Sequence, residues 1–481
     1  MKDNKMKFKI EGAAITALAI VAVILLNLIF SVLGEKVNLK LDLTGGGVFT
    51  LSDESKAVAE GADKEVDIYY ATNAQNRNTR YSEILETFGR ANDLISVKEV
   101  NLDTDPGFSR TYKIKSYNSV VVECKATSKV RIVDSSLIEY NGQNDNGVIN
   151  TKVNYLESYV SAAIRYVTSE KPLMVYIAMG HGEIIENSSF LDYLMNMLYS
   201  EAMSVKLLDF TTDAVPADAD MILFAGPTAD FTDADIKKLD DYLEAGGRVQ
   251  FYSNPSYSLP NLNTYFSNNW GAYINNDCVS DSNSAFIAAS AMGNYLIPYL
   301  KEHAITSYLM SVSSKLRVQE GEVNSINIAE KSDIEANVIV ATSDTGVSMD
   351  RENWVKKNAR EPYNVSEPSE KNIMVYLRKN SLNNSETTSR LLLSGTYYLL
   401  FDRFIDPSSS YADKDLIVKT INYMSGIEDA PVSVSSKSIV HEKMEVLEKS
   451  KLVYCVVFLT GVIPAILFGY GIYVYLRRRR L

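Results

Sequence analysis

Three cysteines and three histidines in 481 residues leave little room for metal or redox chemistry. Cys124, Cys278 and Cys455 are too few and too scattered for a zinc site or a disulfide framework. Cys455 also sits in an apolar run that a disulfide partner could hardly reach. Basic side chains are scarce away from the ends. Net charge is −12, yet Lys2, Lys5, Lys7 and Lys9 crowd the first eleven residues and Arg477 to Arg480 crowd the last five. The remainder has 40 basic against 58 acidic residues once Asp3 and Glu11 are also set aside. A body that acidic is a poor partner for nucleic acid, because phosphate contacts need Lys and Arg. Internal repeats and low-complexity tracts are missing too. What remains is an ordinary globular balance, 46% hydrophobic and 22% charged, which excludes disorder and collagen. At about 100–200 residues per domain, the length accommodates two to four domains.

Long apolar runs are present, and there are two. Residues 12–34 and 452–476 carry no charge, and each exceeds the roughly 20 residues a helix needs to cross a hydrocarbon core of about 30 Å. The first outruns the apolar core of a signal peptide, about 7–15 residues, and no small-x-small cleavage site follows, so it reads as an uncleaved anchor. Lysines precede the first run and four arginines follow the second. The positive-inside rule then puts tails 1–11 and 477–481 in the cytoplasm and residues 35–451 outside. Neither run contains an ionisable residue that marks an ion route. Two helices alone make no transport pathway, so the protein acts through its outer part or joins a larger membrane complex.

The outer part reads as two α/β domains and a stalk. In residues 36–150, VNLKLDLT and VFTLSDES alternate like half-buried strands around Gly45-Gly46-Gly47, which no Lys-Ser/Thr follows at phosphate-loop spacing. VDIYYAT (66–72) reads as a buried strand, Tyr81 to Asn92 as an amphipathic helix, and residues 96–106, 119–124 and 130–133 as further strands. That order suggests a small thioredoxin-like unit, without the Cys-x-x-Cys of its redox chemistry. Cys124 reads as a core residue.

In residues 153–430, strand and helix periods alternate, which implies a Rossmann-like parallel sheet. Residues 172–179, 205–210, 221–227 and 248–252 are its strands, and 190–203 is helical. Thr232 with Asp235 opens another helix as an abbreviated capping box, and Gly246-Gly247 stop it. Ligands of open α/β sheets bind beyond the carboxyl ends of the strands. The loops expected there make Gly180, His181, Gly182, Glu183, Gly226 and Asn254 the candidate ligand-binding residues. No nucleophile elbow is present, since Ser253-Asn254-Pro255 cannot start a helix. The third glycine of a dinucleotide loop is replaced by Ile185, and His181 with Glu183 lacks a third metal ligand nearby in sequence. No catalytic residue, metal or cofactor is therefore assigned. Further on, Ile287 to Leu300 is expected to be a helix, 325–332 a loop, 343–371 an exposed insertion and 416–424 the last helix. Residues 431–451 read as a charged stalk.

Several strings resemble one family, the gliding-motility-type auxiliary components of ABC transport systems (Gldg-like proteins). They are Asp42-Leu-Thr with Phe49-Thr-Leu-Ser, Gly180-His-Gly-Glu, Ala219 to Pro227, Leu239 to Arg248, Asn254-Pro255, His303-Ala-Ile-Thr with Ala304 in place of Pro, and the Arg477 to Arg480 tail. The order of these motifs between two anchors spans nearly the whole chain; residues 105–150 and 305–390 match only in outline. The resemblance implies a bacterial, non-catalytic cell-surface partner of an ABC permease and its cytoplasmic ATPase, with an amidotransferase-like sheet that lacks the nucleophile. Such a protein touches membrane lipid and is free to bind a cell-envelope ligand. The competing expectation is a membrane-anchored hydrolase-like enzyme using His181 and Glu183, which requires a further polar group, Asn254 or an Asp, within reach of both.

Overall fold

The computed structural model describes residues 50–143, 149–183, 189–290, 293–380, 388–400, 412–427 and 437–439, with the single positions Val21 and Arg477. Apart from Val21, both expected spans lie outside these residues. Among the described residues no helix is long and apolar enough to cross a membrane. Residues 51–481 form one unit, distinct from residues 1–50.

The chain first builds a small sheet. Ser52 accepts a bond from the Ser55 amide and so caps α1 (Asp53–Glu60), which takes the end of the stretch expected to be a strand. Then follow β1 (Val66–Thr72), α2 (Thr79–Ala91), β2 (Ile95–Asn101), α3 (Pro106–Thr111), β3 (Ser119–Cys124) and β4 (Lys129–Val133). The sheet order is β2-β1-β3-β4, with β1 and β2 parallel and the other neighbours antiparallel. One face packs on α2 through Ile84, Leu85 and Phe88. Cys124 is fully buried in the same core. Two strands, β5 (Glu139–Gln143) and β6 (Ile149–Asn154), lead into α4 (Leu156–Thr168). Leu156, Val160, Ala163, Ile164 and Val167 of α4 complete that core. α4 therefore packs with the small sheet, although it lies beyond residue 153, where the second domain was expected to begin.

The large sheet has eight strands. In chain order come β7 (Met174–Met179), α5 (Ser189–Tyr199), β8 (Ser204–Asp209), β9 (Met221–Ala225), α6 (Asp233–Glu244), β10 (Arg248–Tyr252), β11 (Tyr299–Leu300), β12 (Ile334–Ala341), β13 (Asn372–Asn380), β14 (Thr388–Ser394) and α7 (Asp413–Met424). The spatial order is β11-β12-β13-β14-β10-β9-β7-β8. The five strands from β14 to β8 are mutually parallel, while β13, β12 and β11 add on antiparallel. The sheet is thus mixed rather than parallel throughout. A continuous apolar run such as Met221–Ala225, buried at every residue, is what a strand covered on both faces requires. One face packs on α5 and α7, the other on α6 and a column of aromatic rings.

Two expectations fail locally, and two other segments carry elements of their own. Residues 287–300 form strands, not a helix: Ile287–Ser290 and Gly293–Leu296 make an antiparallel hairpin, and Tyr299–Leu300 joins the large sheet. Gly293 at φ +113° and Pro298 interrupt helical geometry, and Gly293–Leu296 and Tyr299–Leu300 find long-range partners in Val318–Gln319 and β12. Ile326–Ile328 is a strand rather than part of a loop, and the insertion holds a strand at Gly346–Met349 and a helix at Arg351–Asn358. Lys437–Ile439, within the expected stalk, pairs with β6.

Arg131 joins the two sheets. Its guanidinium lies 3.7 Å from the centre of the Tyr166 ring and donates to the carbonyls of Tyr199 (3.0 Å) and Met203 (2.9 Å) at the end of α5.

Candidate functional site

The chain passes from β7 to its neighbour β8, then crosses to the other side of β7 for β9. The strand ends of β7 and β9 are therefore the topological switch point, where open α/β sheets bind ligands. Gly180 to Glu183 leaves β7 there, Gly226 to Thr232 leaves β9, and α6 starts beside them.

These loops are bonded to each other. The amides of Thr228 and Ala229 donate to the His181 carbonyl at 3.0 and 2.9 Å, and the Thr228 hydroxyl donates to the Gly182 carbonyl at 3.0 Å. Gly182 has φ +68°, and a Cβ there would lie 2.4 Å from Thr228 Oγ1, so only glycine permits the approach. Gly180, at φ +110°, comes equally close to the next loop, with a Cβ position 2.8 Å from Asp209 Oδ1. The Gly226 amide donates to the Tyr252 carbonyl, tying the β9 loop to the end of β10.

His181 sits inside this seam, 3% exposed. Its ring stacks on Phe231 with centroids 4.0 Å apart and planes 5° apart, and Phe231 in turn meets Phe224 edge-on. Asp230 holds Phe231 in place by accepting from the amides of Phe231, Asn261 and Leu262. A carboxylate faces each ring nitrogen: Glu183 Oε1 is 3.7 Å from Nδ1 and Asp235 Oδ2 is 3.4 Å from Nε2. The other Glu183 oxygen accepts from the His181 amide at 2.9 Å. Asp235 completes the predicted capping box, accepting from the Thr232 amide and hydroxyl while its own amide donates to Thr232 Oγ1.

Burial opposes the charge on His181, but Glu183 and Asp235 outweigh it and raise the imidazole above its ordinary value. Burial likewise pushes the Asp235 carboxyl up, and the Thr232 bonds together with His181 hold it below the usual range. The cluster sets an imidazole between two carboxylates that favour its charged form, all three side chains withdrawn from solvent. A general base needs one bare ring nitrogen within reach of a substrate. Here a carboxylate lies within 4 Å of each nitrogen, though neither ring nitrogen makes a hydrogen bond, and both are buried away from a substrate.

Asn254 stands apart from this cluster in its bonding: it is buried, its Oδ1 accepts from the Ser256 amide and its carbonyl from the Tyr257 amide, closing its own turn. Beside it, Ser253 Oγ donates to Asn324, and a cleft of about 20 Å³ opens between Ser253, Tyr257, Asn263 and Asn324. That is room for about one water. Among the described residues no group of three or more His, Cys, Asp or Glu side chains is arranged to hold a metal. Burial pushes the Cys278 thiol up to about 11, the opposite of an activated nucleophile. Asp235 entered the sequence reading only as a capping residue. Its meeting with His181 comes from the sheet order, which sets the start of α6 beside the end of β7. Thr228 and Phe231 gave no signal of their own.

Residues 173–420 match the family described as "ABC-type uncharacterized transport system", just over half of the chain. The chain belongs to that family. The match begins with β7 and ends in α7, so it covers the large sheet, the His181 cluster and the groove described below. It agrees with the resemblance to Gldg-like auxiliary components. No curated protein matches the chain. Among solved structures, the "mmIFT52 N-terminal domain" is similar at 14% identity over 52% of this chain and 97% of that one, with a TM-score of 0.36. The NTD_N/C domain of alkylhydroperoxide reductase AhpF from Enterococcus faecalis is similar at 14% identity over 33% and 77%, with a TM-score of 0.20. Neither likeness is near enough to bear on function.

Proposed function

We propose that the protein is a non-catalytic auxiliary subunit of an ABC-type transport system, docked on a permease and its cytoplasmic ATPase. The observation that carries this reading is the family match across the large sheet. In this reading residues 12–34 and 452–476 anchor the chain, residues 35–451 lie outside the cell membrane, and both tails are cytoplasmic. The sheet order β2-β1-β3-β4 of the small domain supports its thioredoxin-like assignment, and the five parallel strands support a Rossmann-like core in the large one.

The geometry at His181 supports the non-catalytic part of the reading. With a carboxylate at each ring nitrogen and Phe231 against one face, His181 works as a clamp that locks the strand-end loops and the start of α6 together. Glu183 and Asp235 are its counter-charges. The hydrolase-like alternative gains the Asp it required, but at a position that occupies the nitrogen a substrate would need. Ligand binding at Gly180 to Glu183, Gly226 and Asn254 stays tied to this clamp, since a ligand would have to part Thr228 from His181 to enter.

Mild-detergent isolation of the tagged protein at native expression, with mass spectrometry of its companions, tests the proposal. A multi-span permease together with an ATPase is the expected result. Recovery of this chain alone in several detergents contradicts it.

A further inference from the structure

Parallel strands are normally joined by a crossover helix that covers the sheet. On the large sheet, α5 does this between β7 and β8, and α6 between β9 and β10. The connection from β8 to β9, residues 210–220, has no helix and runs as a loop on the α6 face. Beside it lies an open groove of about 600 Å³.

One wall is Ala214 to Ala217 with Ala219, small and apolar. The other is a single stripe of α6: Ala234, Lys237, Lys238, Asp241, Tyr242 and Ala245. That spacing is the i, i+3, i+4, i+7 periodicity of a helix face. It is distinct from the buried face of α6, which carries Asp235, Leu239 and Leu243. The stripe runs about 16 Å, three helical turns.

Charge selects what fits. Lys238 donates to the Phe210 and Asp213 carbonyls, and Arg248, at the end of the groove, donates to the Asp220 carbonyl. Among the described residues neither meets a carboxylate in an ion pair. Lys237 pairs only with Asp241 on its own helix. Asp220 and Asp241 also line the groove, but Asp220 pairs with Lys171 and Asp241 with Lys237, which leaves Lys238 and Arg248 as its cations outside an ion pair in a chain of net charge −12.

We propose that the groove receives a three-turn amphipathic helix of another subunit of the transport system, seated where the crossover helix is missing. Its apolar side lies on Ala214 to Ala219, and its carboxylates face Lys237, Lys238 and Arg248. This rests on the auxiliary-subunit reading above.

The test is co-isolation of the full-length protein with its permease, comparing wild type, Lys237→Glu/Lys238→Glu and Ala217→Trp, with Lys115→Glu as an exposed control. Like charges brought together cost several kcal/mol, so permease recovery falls at least about tenfold for the charge reversal. Ala217→Trp fills the groove from an exposed position, needs no repacking of the core, and gives the same loss. Lys115→Glu retains recovery. Wild-type recovery with either folded groove variant overturns the proposal while leaving the auxiliary-subunit reading intact. If wild type itself brings down no permease, that reading falls and the groove proposal with it.

Discussion

The two regions of the large domain that offer a place for another molecule are built in opposite ways. At the carboxyl ends of β7 and β9 the loops bond to each other and His181 is buried between two carboxylates. Along α6 and the β8–β9 connection, small side chains line open space with Lys238 and Arg248, neither of them in an ion pair, and with the paired Lys237 and Asp241. At the position where an α/β sheet usually binds its ligand, the loops are bonded to one another. The open surface lies where the β8–β9 connection has no covering helix. Polar residues at a strand end are therefore not by themselves a site; what their neighbours leave uncovered decides it.

The comparison breaks first at His181. Replacing it with Ala leaves Glu183 and Asp235 buried without a cation between them, and removing one partner of a buried charge cluster costs about 3–5 kcal/mol. An unfolding free energy in urea lowered by less than a quarter of that would mean the ring is dispensable and the seam is loose. Gly182→Ala comes next. A side chain at φ +68°, aimed at Thr228 Oγ1, costs about 2–3 kcal/mol in strain and overlap. The same change at Gly426, also at positive φ but with nothing within 4 Å, should cost less, which separates crowding from backbone strain. Thr232→Ala removes the cap of α6 and about 1 kcal/mol.

The smallest effect is one of pH. His181 is raised above its ordinary 6.5, so its contribution is complete below that value and is lost as pH rises through the higher folded-state value. Asp235 is held below its ordinary 3.8, so its contribution is complete above 3.8 and is lost as pH falls through the lower one. The cluster is firmest between the two. Subtracting the melting profile of His181→Gln from that of wild type should leave an excess stability that declines on the alkaline side. An excess that grows with pH would reverse the assignment.

What could be read in advance followed the range of the forces involved. The capping box at Thr232 and Asp235 is made of residues three apart, and it forms as expected. Met221–Ala225 announces a central strand because five consecutive apolar side chains need cover on both faces. The Gly180 to Glu183 loop stood out because glycines flank a His, and the structure does gather its residues at the switch point. Asp235 could not be attached to His181 because the pairing depends on which strands are neighbours. The hairpin at 287–296 was hidden for the same reason: an Ala-rich stretch has helical propensity, and its partner strand at Val318–Gln319 lies far along the chain. Arg131 carried no signal of its own in the sequence, because its carbonyl acceptors lie about seventy residues further along the chain.

Selective labelling of the three histidines, with ring-nitrogen NMR followed across pH, tests the clamp most directly. The account predicts that His181 carries protons on both nitrogens at pH 6 and titrates above 6.5, unmoved by the occupancy of the groove along α6. A His181 that shows one bare nitrogen at pH 7 and titrates below 6.5 would contradict it, and would return the strand-end cluster to the list of candidate catalytic bases.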